Sequence, residues 1–296
     1  MSRARHLCAA VAVASALLTT ACGAGAPTAD PAPSASPAAS SSPEPTTGPS
    51  SEPSTEPRPA PGSVPPPWLG TRVLPEGPDG FGEVRPTPPA LRTRAFTLPD
   101  TIAPLPGPGF ASRVVDPVPA RVLERSTWEP GCPVAADDLA WVRVTFVGFD
   151  DARHTGELLV ASVWADDLVG VFRTLWRARF PLEELRITRA DELHVPPTGD
   201  GNGSGAFVCR AVTGGTSYSE HAYGRAIDLN PFQNPYRRGD VVVPELASAY
   251  LDRSRDAPGM IRPDGVVVRA FAAIGWRWGG DYTSLEDYQH FSSTGG

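Results

Sequence analysis

Residues 219–231 hold two side chains able to grip a cation, His221 and Asp228, with Gly224 between them. A second segment near the C-terminus adds a carboxylate, Asp287, and an imidazole, His290. Two imidazoles and one carboxylate make three N/O ligands, the set a catalytic zinc uses when its fourth position stays open for water. Asp287 is then left over as a candidate general base. A histidine alone is more often a hydrogen-bonded structural residue than a ligand. Asp228 is harder to explain that way, because it stands between Ile227 and Leu229 in a strand-like run, where an inward carboxylate needs a partner. Gly224 lets the chain turn between the two ligands, and Ala226 keeps space beside a metal.

These residues need a scaffold, and the texture of residues 131–296 supplies one. Residues 141–149 alternate as a strand with Val142, Val144 and Phe146 on one side, and residues 156–161 return as its hairpin partner after a turn at Asp150 and Asp151. Leu168, Val171, Phe172, Leu175, Trp176 and Phe180 fall at helical spacing, with Asp166 and Asp167 at the start and Arg177 and Arg179 at the end, as the helix dipole prefers. Residues 185–188 read as a short strand, and residues 225–230 as a central strand carrying Asp228. Residues 264–274 read as a second helix, with Asp264 as N-cap and Gly275 ending it. Residues 276–280 and 288–291 complete the sheet. The expected class is α+β: one small antiparallel sheet with packed helices.

Ahead of this domain the composition changes. Glycine and proline number 29 and 35, too many for one compact domain of 296 residues. Residues 23–67 are Ala, Pro, Ser, Thr and Glu with almost no bulky apolar side chain, and read as a disordered, partly polyproline linker reaching on the order of 100 Å. Residues 68–130 carry apolar side chains interrupted by prolines and read as an extended segment wrapping onto the domain. Residues 1–22 read as an export signal: Arg3 and Arg5 precede an apolar run too short to span a bilayer. Leu18, Ala21 and Cys22 resemble a lipobox in which Cys22 carries lipid, although the leucine sits one place further from the cysteine than usual. The rival is ordinary cleavage after Ala26. Either processing puts the mature protein outside the cytoplasm, lipid-anchored to the membrane or secreted. A net charge of −7 excludes an electrostatic footprint for nucleic acid.

Cys8 leaves with the signal, so Cys132 and Cys209 remain as an even pair in an oxidising compartment, which favours a disulfide. Two free thiols, or a metal role for Cys209, are the alternatives.

The motifs taken together carry a family resemblance. Ser219, His221, Gly224, Ala226 and Asp228 form S-x-H-x-x-G-x-A-x-D; residues 278–281 form W-G-G-D; Asp287, His290 and Phe291 form D-x-x-H-F. This order resembles the zinc D-alanyl-D-alanine carboxypeptidase family, which includes VanY- and VanX-type peptidases and the L-alanyl-D-glutamate endopeptidases of phage endolysins. The resemblance runs over residues 128–293. It takes in residues 127–133 around Cys132, His154 to Glu157, and the Asn230-Pro to Pro235-Tyr236 stretch. It implies a hedgehog/D-Ala-D-Ala-peptidase-like fold and one zinc ion on His221, Asp228 and His290. It further implies Asp287 as catalytic carboxylate and Arg210 as the arginine that contacts substrate ahead of the first ligand. Ser219 and Trp278 become candidate substrate-binding residues, Tyr223 could line the same groove, and His154 and Glu157 could brace the site.

The resulting expectation is an exported, monomeric zinc metallopeptidase acting on peptidoglycan stem peptides as a D,D-carboxypeptidase. The alternatives are an L-Ala-D-Glu or cross-link endopeptidase, and a non-catalytic wall-binding module.

Overall fold

The computed structural model describes residues 60, 62–77, 80–212 and 215–295. Residues 1–22, expected to be an export signal with Cys22, and residues 23–59 of the expected linker lie outside them. In chain order the regular elements are β1 (Ser112–Val115), α1 (Ala120–Leu123), β2 (Leu139–Gly148), β3 (Arg153–Ala161), α2 (Ala165–Arg177), β4 (Pro181–Leu182), β5 (Ala226–Asp228), β6 (Tyr236–Arg238), β7 (Val241–Val243), α3 (Val266–Ala272), β8 (Arg277–Trp278), β9 (Glu286–Asp287) and β10 (His290–Ser292). Few helices and small, mainly antiparallel sheets make this an α+β arrangement.

The hairpin forms where alternation is cleanest. β2 and β3 pair from Leu139↔Ala161 to Val147↔Arg153, and Asp151, at φ 65°, turns the chain between them. Ala140, Val142, Val144 and Phe146 share one face and are at most 4 % exposed. Against that face lies α2, whose Leu168, Val171, Phe172 and Leu175 recur at helical spacing and join the same core. The helix ends at Arg177, earlier than the apolar spacing through Phe180 implied. Arg179 takes a left-handed φ of 53° and pairs with Asp151.

The single sheet expected from sequence is three. β1-β2-β3, with β4 parallel on β2, forms the hairpin sheet; β5-β10-β8 and β7-β6-β9 form two more. Asp228 is therefore on the edge strand of its sheet, and β10 is the centre. Residues 185–188 make no strand: Leu185 contributes one isolated bridge to Ser204. Asp264 is not the cap of α3. That position is Gly265, with no side-chain hydrogen bond, while Gly275 at φ 83° does close the helix, donating to the Ala272 carbonyl.

Residues preceding the hairpin dock through a second core, in which Leu74, Leu91 and Phe96 meet Phe232, Leu246 and Tyr250. Arg94 is locked there by two hydrogen bonds to Glu183, at 2.7 and 2.6 Å, with both side chains at most 1 % exposed. Cys132 and Cys209 form a disulfide across 77 positions of sequence. In a loop-entropy account such a link stabilises the fold by about 4 kcal/mol.

Candidate metal centre

β5 and β10 run antiparallel with His290 opposite Asp228 and Phe291 opposite Ile227. Cross-strand partners share a face, so Asp228 and His290 project together while Ile227 and Phe291 point the other way. Both of the latter are fully buried in the main core, and Phe291 stacks on Phe271 with ring centroids 4.1 Å apart. Burial of such an aromatic contributes about 2–3 kcal/mol, which holds the register that aims the two polar side chains.

His221 arrives separately, on a single 3-10 turn, Glu220–Tyr223. Ser219 caps it by accepting a hydrogen bond from the His221 backbone N–H at 3.4 Å. Gly224 ends it at φ 66°, and a Cβ there would lie 2.5 Å from the Ala161 nitrogen of β3. The turn is thus pressed onto the hairpin where only glycine fits.

The tautomer of His221 follows from one contact. Its Nδ1 lies 2.5 Å from the Ala206 carbonyl, which can only accept, so Nδ1 carries the proton and neutral Nε2 presents a lone pair. That lone pair faces Asp228 Oδ2 at 3.2 Å and His290 Nδ1 at 3.2 Å, and His290 Nδ1 lies 3.0 Å from Asp228 Oδ1. An imidazole lone pair and a carboxylate oxygen in opposition repel unless a proton or a cation lies between them. A tetrahedral centre with bonds of about 2.0–2.1 Å places its ligands about 3.3 Å apart, close to the observed spacing. The donor set therefore fits a zinc ion. Among the described residues no other set of three His, Cys, Asp or Glu donors converges in this way.

The electrostatics agree with that geometry. Burial opposes the charge of Asp228, but positive charge on the two imidazoles in the metal-free protein more than reverses it and holds the carboxyl far below its usual range, the pull that a cation between the donors would also exert. Burial also opposes charge on His290, and Asp228 outweighs it, raising that imidazole. Asp287 behaves oppositely: burial, then the nearby Asp228 charge, push it up to about 6. Its Oδ1 is buried with no hydrogen-bond partner. An orphaned, basic carboxylate oxygen beside three convergent donors is what a general base needs. Room for it comes from the W-G-G-D loop, since a Cβ on Gly279 would stand 2.6 Å from the Asp287 carbonyl oxygen and 2.9 Å from its Cβ.

The three donors and Asp287 open into a cavity of about 480 Å³, lined also by Arg210, Tyr218 and Ser219 from the segment leading into His221 and by Tyr236, Arg238 and Val243 from β6 and β7. Arg210 is exposed, and among the described residues its guanidinium bonds only the carbonyl of Ala211, at 3.1 Å, which leaves most of its donors available. The Cys132–Cys209 disulfide fastens the residue just before it.

Four expected site residues lie elsewhere. Trp278 is a core residue, 4 % exposed, whose indole N–H donates to the Tyr288 carbonyl at 2.9 Å; β8 packs its back face inward, so the ring cannot reach the cavity. His154 is held between Asp100 and Asp150 at 2.8 and 3.1 Å. Glu157 is fully buried, accepting from Arg125 and from Trp141 Nε1, and lines a separate cleft of about 700 Å³. Neither braces the metal donors. Tyr223 lies under the Arg225 guanidinium rather than on the cavity wall. The Ala206 carbonyl, Tyr236, Arg238 and Phe81 were missed. Tyr236 sat within a motif already noted, but a carbonyl brace and a side chain from residue 81 carry no local signature.

An α+β frame presenting two imidazoles, a carboxylate and a free basic carboxylate in one cavity defines a candidate metal-dependent hydrolase centre. Residues 213–293 match the family model described as D-alanyl-D-alanine carboxypeptidase. That span contains His221, Asp228, Asp287 and His290, and the match supports the zinc D-alanyl-D-alanine carboxypeptidase family and, with it, a peptidase. No curated protein and no solved structure matches the chain.

Proposed function

We propose that the protein is an exported zinc metallopeptidase that trims peptidoglycan stem peptides as a D,D-carboxypeptidase, with a hedgehog/D-Ala-D-Ala-peptidase-like catalytic domain. In this reading it works as a monomer held to the membrane by a lipid on Cys22. The observation that carries the reaction is the convergence of His221 Nε2, Asp228 and His290 Nδ1 beside the unpartnered Oδ1 of Asp287, within the family-matched segment.

His221, Asp228 and His290 would hold a zinc ion, which would supply Lewis acidity at the reacting carbonyl and water. The chain's own residues do the rest. The Ala206 carbonyl and Ser219 hold His221 in the tautomer and pose that a ligand requires. Asp287 Oδ1 accepts the proton of the attacking water and returns it to the departing amine. Arg210 receives the substrate's terminal carboxylate in bidentate fashion, which fixes a C-terminal bond at the centre.

Digesting purified muropeptides and weighing the products tests this. Release of D-alanine alone is expected. Fragments cut between L-alanine and D-glutamate, or at a cross-link, would replace the reading with an endopeptidase. Equal inertness of the wild type and Asp287→Ala on every wall fragment would point to a binding module.

A further inference from the structure

The sheet that carries Asp287 also builds a wall. Its register sets Tyr236 opposite Asp287 on one side and opposite Val243 on the other. Cross-strand partners face the same way, so the three side chains form one row, and all three line the metal cavity. Val242 points oppositely and is buried. At about 4.8 Å per strand step the row runs roughly 10 Å outward from Asp287.

Phe81 stands on the same cavity, although it lies far outside the family-matched span. Its placement is enforced. Gly77 N–H donates to the Phe81 carbonyl at 2.7 Å, and Gly82 N–H donates to Glu245 Oε1 at 2.6 Å. Glu245, two residues past Val243, is 5 % exposed, and its own carbonyl accepts from Arg85 N–H at 3.2 Å. A Cβ on Gly82 would meet that carboxylate at 2.9 Å, so the close approach depends on glycine. The backbone around Phe81 is thereby tied to the segment that continues β7.

We infer that the row Asp287–Tyr236–Val243, closed off by Phe81, is the channel for substrate residues on the acyl side of the scissile bond. Phe81 is then a specificity-determining residue that favours peptides with several residues ahead of that bond over a free dipeptide. This rests on the peptidase reading above, in which Arg210, outside the β7-β6-β9 sheet, takes the terminal carboxylate and leaves the β6–β7 wall to the rest of the chain. An extended peptide advances about 3.3 Å per residue, so a row of roughly 10 Å accepts about three residues. A dipeptide has one residue on that side and stops short of Phe81.

The test compares the zinc-loaded full chain with Phe81→Ala and Phe81→Leu on free D-alanyl-D-alanine and on a stem pentapeptide ending in the same two residues. Calorimetric binding of both ligands to Asp287→Ala, with and without Phe81→Ala, reads the channel without turnover. Phe81→Ala is expected to lower kcat/KM and affinity for the pentapeptide roughly tenfold, to leave the dipeptide within about twofold, and Phe81→Leu to retain most of the preference. Equal losses on both ligands, or none on the pentapeptide, overturn the inference while the peptidase reading stands. If the wild type cleaves neither ligand the peptidase reading fails, and calorimetry alone decides the channel. Length-dependent binding that Phe81→Ala removes then supports it, and absent or length-independent binding ends it.

Discussion

Two histidine–carboxylate clusters in this molecule use the same residue types to opposite ends. Around His154, each ring nitrogen has its own carboxylate, Asp100 at 2.8 Å and Asp150 at 3.1 Å, on opposite sides of the ring. Around Asp228, the imidazole nitrogens of His221 and His290 point at each other and at one shared carboxylate, all within 3.2 Å. The first cluster is divergent and satisfied by its own members. The second is convergent, with a lone pair of His221 directed at an acceptor. What separates a structural histidine from a ligand is therefore the direction of the nitrogens, which residue composition does not reveal.

The largest effects should follow from breaking the convergent cluster. His221→Ala or Asp228→Ala is expected to remove bound zinc and to abolish hydrolysis, and a strong chelator should do the same to the wild type until zinc is restored. Metal content measured on the purified variants checks this. Zinc retained at full stoichiometry without Asp228 would mean that the donors lie elsewhere.

Asp287→Asn should act one level down, lowering kcat by roughly 10²–10⁴ with zinc still bound. Stability should move the other way. In the metal-free fold Asp287 is pushed up to about 6 from its ordinary 3.8, so the native state favours the protonated form. Its ionisation destabilises progressively as pH rises from about 4 to 6, and the penalty is complete above that. Metal-free Asp287→Asn is thus expected to be more stable than wild type at pH 7.5, by on the order of 1–3 kcal/mol, and equal to it near pH 4. Thermal melts at the two pH values measure the difference.

The same ionisation should appear in kinetics. The base must be unprotonated, so kcat/KM is expected to fall as pH drops through about 6. A neighbouring dication favours the ionised carboxylate, so in the loaded enzyme the limb should lie at or below that value. An acid limb of the same position in the residual activity of Asp287→Asn would assign it to another group.

How much of this was legible beforehand depended on how local each signal was. β10 and β5 were readable because ligand types, spacing and apolar neighbours coincide within a few residues, and α2 because its apolar positions repeat over 13 residues. The division into three sheets was not, since strands of two or three residues carry too little alternation to reveal their partners. Trp278 misled because a motif glycine pair beside an aromatic suggests a groove, while its burial is decided by Phe291 and Tyr288 across the sheet. Phe81 was invisible: the contact that places it, Gly82 to Glu245, spans 163 positions, and its flanking glycines and prolines show no period.

The smallest expected effect completes the contrast. His154→Ala removes two hydrogen bonds to carboxylates and a stacked contact with Phe146, whose ring centroid lies 5.4 Å away. Asp150 is about half exposed and can return to water at little cost, and Asp100 keeps the Thr155 backbone N–H as a donor at 2.8 Å. The loss should therefore be about 1 kcal/mol, a few degrees in Tm, with zinc content unchanged and kcat/KM within about twofold. Loss of zinc from this variant would break the comparison, because it would show that the divergent cluster, far from serving only the fold, supports the centre after all. An unchanged metal content with a lowered Tm is the result that keeps the two clusters distinct.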